Sequence, residues 1–372
     1  MSEYDYPTNV TNMTSEIISE LLNGIIDVDL GRPLSALGAI HNVEVHGEHV
    51  RVFLDVVQPL HWVAKRLDHD CRATINANFP SATVEILVRE KGATSKRTSA
   101  LAGVKNLIAV SSGKGGVGKS TLAANLAGAL AQRGATVGLL DADIYGPSQP
   151  TMYGMAESSM RAERTDDGKI IGYPNEAYGV KLASVGFVMQ RDQAAILRGP
   201  MLAGYFTMLV EQIIWGELDF LLFDLPPGTG DIQLTLTQRI PLTGAVVVTT
   251  PQEIALADVR RSIQMFRKVN VDVLGVVENM SYFVPPDMPE KKYHIFGEGG
   301  GTSVAKEFNV PFLGEIPIDM RIREGADSGF PAVLDPESGH IADSFRAVAE
   351  RMVREVRIAN AKAIDNAVEI SL

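Results

Sequence analysis

The chain of 372 residues contains a single cysteine, Cys71. An intrachain disulfide and a zinc ribbon are therefore excluded, and a reducing, cytoplasmic setting fits. Seven histidines are present, but none falls into HExxH or another compact metal motif. No apolar run approaches the ~18 residues of a membrane span. The opening "MSEYDYPTNV" is acidic and polar, unlike a signal peptide. Basic excess is also missing: the formal net charge is -11. That disfavours a general nucleic-acid surface while leaving room for a local basic patch. The expectation is thus a protein with neither a nucleic-acid nor a membrane partner. Hydrophobic residues make up 45%, too many for a disordered chain.

What is present divides in two. Residues 13–23 read as a short amphipathic helix ended by Gly24, and "NVEVHGEHVRVFLDVV" reads as a hairpin turning at His46–Gly47. Val63, Leu67, Cys71 and Ile75, four apart, mark one helix face, and "SATVEILVRE" is a strand. Residues 1–90 are predicted to form a small α+β domain. The next stretch, 91–106, is basic and rich in Ser, Thr, Ala and Gly. It reads as a solvated linker or as a contact surface for an acidic partner. From 107 to 372, continuous apolar strands such as "FLLFDL" and "GAVVVTT" alternate with helical stretches such as "EIALADVRRSIQMFRKV". That pattern predicts an α/β domain with a doubly wound, mostly parallel sheet covered on both faces.

"GKGGVGKST" lies between an apolar strand and a helix, the context that G-x-x-x-x-G-K-[ST] requires. Gly113, Gly115, Gly116, Val117 and Gly118 would turn backbone N–H groups toward a phosphate at the helix N-terminus. Lys119 would reach the β and γ phosphates of ATP, Ser120 would ligate Mg2+, and Thr121 would support the nucleotide. Lys114 is an additional lysine inside the loop. Asp141 and Asp143 in "LLDADIYGPSQP" and Asp224 in "FLLFDLPPGTGD" stand at strand ends, where carboxylates order Mg2+, orient a water or merely cap helices. Gly228 is a candidate N–H donor to a γ-phosphate.

The pattern KGGxGK[ST] resembles the deviant Walker A ATPases, among them MinD, ParA and the nitrogenase iron protein. The resemblance implies that Lys114 reaches the nucleotide of a facing subunit in a homodimer, although a purely local role is the alternative. It also implies that Asp143 positions the attacking water, that Asp141 is structural or close to the metal, and that Asp224 holds Mg2+ through water. Asn279 would read adenine, and Pro317 and Asp319 would rim the base pocket. "TTPQEIALADVRR", "ENMSYF", "IFGEGGG" and "LGEIPIDMRIREG" narrow the likeness to the Mrp/ApbC proteins, iron–sulfur cluster carriers with ATPase activity. Members of that family commonly carry CPxC after "MSYF". Here Pro285 and Met288 occupy the two cysteine positions, and His61 replaces a cysteine often found in the small domain.

The resemblance therefore implies a cytoplasmic, homodimeric, Mg-dependent ATPase that carries or assembles clusters for iron–sulfur apoproteins or with assembly proteins. A [4Fe–4S] cargo would need non-standard or partner-supplied ligands. Alternatives are a regulatory scaffold that binds no cluster, a MinD- or ParA-like switch, and a metabolic kinase.

Overall fold

Strand-forming and helix-forming patterns are laid out in two self-contained sets. The structure, a computed structural model, describes residues 13–58, 60–91, 99–144, 146–188 and 208–370. The opening decapeptide and residues 92–98 of the basic stretch lie outside the described residues. Two compact units are present, one formed by residues up to 93 together with 363 onward, the other by 94–362.

In the first unit, α1 (Ser15–Asn23) starts at Thr14, whose hydroxyl accepts from the Ile17 N–H at 3.4 Å. It buries Ile18 and Leu22. Strands β1 (Ile40–His46) and β2 (His49–Val56) form the expected hairpin, turning at Gly47 with φ +63°. Helix α2 (His61–Asn78) then crosses over to β3 (Thr83–Glu90), which pairs parallel with β2. A parallel neighbour cannot be reached by a tight turn, so the helix is the connection. Val63, Leu67, Cys71 and Ile75 form its buried stripe.

The second unit contains an eight-stranded sheet. Its strands in chain order are β4 (Val104–Ser112), β5 (Val137–Asp141), β6 (Asn175–Ala177), β7 (Val180–Ser184), β8 (Leu218–Asp224), β9 (Gly244–Thr249), β10 (Val273–Phe283) and β11 (Phe312–Ile318). The spatial order is β6-β7-β5-β8-β4-β9-β10-β11. All pairings are parallel except β6 with β7 at one edge. The central strands are buried along almost their whole length, as strands with helices on both faces must be. Among the covering helices are α3 (Lys119–Gln132) and α6 (Glu253–Lys268), the latter burying Val259, Ile263 and Phe266. Between them in sequence come α4 (Gln149–Met152) and α5 (Asp231–Arg239). Helices α7 (Gly300–Glu307), α8 (Met320–Ser328) and α9 (Gly339–Ile370) follow.

This is the doubly wound α/β fold expected from the apolar strands. From β4 the chain builds outward through β5 and β7, returns to β8, and then builds the other way through β9, β10 and β11. The reversal beside β4 opens a crevice at the carboxyl ends of the strands, where ligands bind in such sheets. Register brings functional groups to one level there: Asp224 lies opposite Val110 and Asp141, and Asp141 lies opposite Ser184.

Candidate nucleotide site

The loop from Gly113 to Gly118 joins β4 to α3 across this crevice. Gly118 has φ +84°, and a Cβ there would stand 2.1 Å from Asn279 Nδ2. A Cβ at Gly113 would stand 2.4 Å from the Asp258 backbone. Both positions exclude side chains for packing reasons, and Gly118 also for its left-handed backbone. The loop consequently runs close beneath neighbouring chain, with its N–H groups at the start of a nearly fully buried helix.

Lys119 is buried and its ammonium contacts the Asp224 carboxylate directly, with Ser120 Oγ at 3.1 Å and Asp143 Oδ2 at 4.0 Å. Asp224 is wholly buried, and its second oxygen accepts from Gln149 Nε2 at 2.8 Å. Lys119, Ser120, Asp143 and Asp224 thus converge. Thr121 stands half-buried in the first turn of α3. Lys114 is different. It is half-buried, and its ammonium has no hydrogen-bond or ion-pair partner among the described residues, while its carbonyl accepts from Ser112 Oγ at 2.9 Å.

Asp141 anchors the segment that follows β5. Its Oδ2 accepts from the Ser148 N–H at 3.0 Å, the Gln149 N–H at 3.1 Å and Ser184 Oγ at 3.1 Å, and its Oδ1 from the Asp143 N–H at 3.2 Å. Complete burial, with the negative charge of Asp224 beside it, pushes the Asp141 carboxyl up to about 7. The hydrogen bonds give this side chain a structural task, and direct metal contact falls more naturally to Ser120. Gly228 also differs from expectation. Its N–H donates to the Ser112 carbonyl at 2.9 Å, so it braces the loop instead of facing a phosphate.

Asn279, within β10, donates from Nδ2 to the Val117 carbonyl at 2.8 Å. It is joined to the phosphate loop, which leaves its carbonyl oxygen and its second amide N–H for a base. Pro317 is the second-to-last residue of β11, and Asp319 caps α8 by accepting from the Arg321 N–H at 2.9 Å. Burial acts to raise the Asp319 carboxyl, but hydrogen bonds from Arg321 outweigh it and hold it below the ordinary range. Asp319 shares the carboxyl edge of the sheet with the loop, yet its bonds go to Arg321 and not to the cluster around Lys119.

Two glutamines escaped the sequence reading. Gln149 Nε2 also donates to the Ser120 carbonyl at 2.9 Å. Gln233, on α5, donates to Ser111 Oγ at 2.7 Å and the Pro226 carbonyl at 3.2 Å. Both are buried, and each has a side-chain oxygen without a hydrogen bond among the described residues. No motif marks either position; only the proline and glycine turns around them hinted that the chain was being steered.

The positions expected for cluster thiolates form a small surface loop. The Met288 N–H donates to the Pro285 carbonyl at 3.1 Å, and Phe283 and Tyr293 close the excursion with reciprocal bonds of 2.9 Å. Met288 is exposed. Cys71 is fully buried in α2, and burial, with Asp70 and Asp68 adding to it, pushes its thiol up to about 12. Among the described residues no group of three His, Cys, Asp or Glu is placed to hold a metal ion. A thiolate-held cluster does not fit the chain's own donors, because the one thiol is buried and protonated.

A glycine loop between a buried strand and a helix, a lysine and hydroxyl at the helix start, and an aspartate ending the neighbouring strand together define a P-loop NTPase. The chain belongs to the ParA family of NUBPL iron-transfer P-loop NTPases, whose model matches residues 103–353. It is 43% identical to the iron–sulfur cluster carrier protein of Synechocystis over 93% of this chain and 99% of that one. It is 42% identical to the carrier protein of Escherichia coli K12 over 87% of each. Among solved structures it resembles a nucleotide-binding protein of Archaeoglobus fulgidus in complex with ADP. There the identity is 38% and the TM-score 0.56, covering 64% of this chain and 92% of that one. Among the described residues no helix is long and apolar enough to cross a membrane.

Proposed function

We propose that the chain binds ATP with Mg2+ between two copies of itself, hydrolyses it, and uses the cycle to control assembly or transfer of an iron–sulfur cluster to apoproteins in the cytoplasm. The observation that carries this reading is the contrast between the two lysines of the loop. Lys119 is buried against Asp224 and held for its own phosphates, while the Lys114 ammonium has no partner among the described residues. A free cation at the rim suits the γ-phosphate of a facing subunit, where it stabilises charge that develops during transfer.

Ser120 Oγ and the Asp224 carboxylate are hard oxygen donors that suit Mg2+, the former directly and the latter through water. When bound, the ion neutralises phosphate charge. Asp143, half-buried and with its backbone fixed by Asp141, takes the water-orienting role. Lys119 leaves Asp224 for the β and γ phosphates, and the two switch segments beyond Asp141 and Asp224 follow. The Asn279 carbonyl accepts from the adenine amino group, and Pro317 and Asp319 form the outer rim.

The cluster is cargo. Since the only thiol is Cys71, its ligands come from the assembly or client protein with which the dimer engages. The test is phosphate release by the purified chain, followed by anaerobic iron and sulfide loading of the chain alone and with an apoprotein. Hydrolysis, with ATP-dependent gain of cluster only in the presence of the apoprotein, is expected. Hydrolysis without any effect on cluster loading would favour a regulatory scaffold instead.

A further inference from the structure

Gln149 is the point where three parts of the site meet. Its backbone N–H is held by Asp141, and its side-chain Nε2 divides between the Ser120 carbonyl and Asp224 Oδ2. The residue is fully buried, yet its Oε1 has no hydrogen-bond partner among the described residues. A buried amide oxygen left unsatisfied costs stability, so its persistence beside a site for a hydrated ion asks for an acceptor role. The amide plane fixes that role. With Nε2 committed to the Ser120 carbonyl and Asp224, Oε1 on the same carbon is the atom of the amide left to accept.

We propose that Gln149 is a positioning residue for the hydrated Mg2+ of this site; the inference rests on the nucleotide-binding reading above. It acts in two ways. Nε2 occupies Asp224 Oδ2 and so fixes the carboxylate rotamer, leaving Oδ1, released by Lys119, to accept from a water of the ion. Oε1 accepts from a water of the same hydration shell. Because the Gln149 backbone is tied to Asp141 and its side chain to Ser120 and Asp224, occupancy of the metal site is transmitted to Asp141. Removal of a hydrogen-bonding residue that orients a metal ligand typically weakens metal affinity by about 10- to 100-fold.

The test uses Gln149→Met, which keeps volume and removes both polar atoms, and Gln149→Glu, which keeps shape but loses the Nε2 donor and adds a charge beside Asp224. Binding of a fluorescent ADP is measured first with chelator and then across a Mg2+ titration; Mn2+ bound to the ADP complex is counted by electron paramagnetic resonance. Expected are unchanged ADP affinity in chelator and at least about a tenfold rise in the Mg2+ needed for half-saturation in Gln149→Met. The Mn2+ signal should fall in parallel. Gln149→Glu should lie outside the wild-type curve too, and Gln149→Asn should not restore it, since the shorter side chain does not span to Asp224. Wild-type Mg2+ and Mn2+ dependence in Gln149→Met overturns the proposal while leaving the nucleotide site intact. Failure of the wild-type chain to bind ADP at all overturns the underlying reading instead.

Discussion

Lys119 and Asp224, 105 residues apart in sequence, form a buried ion pair between the start of α3 and the carboxyl end of β8. Neither charge is exposed enough for water to compensate the loss of the other. Lys119→Ala is therefore expected to abolish nucleotide binding and also to destabilise the nucleotide-free protein by about 3 kcal/mol, the scale for stranding one buried partner. Urea unfolding checks the second effect. Lys119→Met combined with Asp224→Asn should recover much of that stability without recovering binding.

Lys114→Ala removes a half-exposed ammonium that has no partner among the described residues. Stability should shift by no more than about 0.5 kcal/mol, as for other surface changes. ATP affinity should stay close to wild type while kcat drops by about 10³-fold, the scale of a charge supplied across an interface. Single-turnover kinetics with bound ATP separates the two; unchanged turnover would assign Lys114 to a local role.

Gly118 and Gly115 offer a matched pair. Gly118→Ala meets Asn279 at 2.1 Å in a left-handed backbone, whereas a Cβ at Gly115 finds only Pro227 Cγ at 4.0 Å. The first should cost about 1–2 kcal/mol from the backbone alone and also displace Asn279 from the Val117 carbonyl. The second should be nearly neutral for folding. Parallel urea curves and ADP titrations distinguish them, with Gly118→Ala losing nucleotide as well as stability.

Cys71 gives a pH signature. Burial, with Asp70 and Asp68 adding to it, pushes its thiol up to about 12 in the folded unit, against about 8.5 when unfolded. Between those values the native state keeps a proton that the unfolded chain has released, so this group's contribution lowers stability as pH rises through the window. At pH 8 the native protein should resist a thiol reagent and become labelled as urea unfolds the first unit. Rapid native labelling would contradict the burial. Cys71→Ala should flatten that part of the pH profile.

Much of the site was legible because its signals are local. Glycines at fixed offsets after an apolar strand, a lysine and serine opening a helix, and an aspartate closing a second apolar strand each report a short stretch of backbone. The positions of Asp141, Gly228 and Asn279 were also marked, and a structural task was among the readings for Asp141, but the partners of all three were not. Asp141 spends its lone pairs on Ser148, Gln149, Ser184 and Asp143, and the Gly228 N–H goes to Ser112. The Asn279 amide goes to Val117. Each of those partners is set by which strands adjoin, and strand order is not written in any single segment. Gln149 was invisible for the same reason, since its link to Asp224 spans 75 residues and belongs to no motif.

By itself, the sequence determined that this protein is a P-loop α/β chain with two lysines in its loop and no thiol pair for a cluster. Periodicity, glycine placement and composition are properties of short stretches and survive without a fold. Only the tertiary structure decided that Lys119 rests on Asp224, that Lys114 is left free of its described neighbours, and that Gln149 joins Asp141, Ser120 and Asp224. Those relations arise where parallel strands in a non-sequential order end at one level, bringing residues distant in sequence within hydrogen-bond reach of one another.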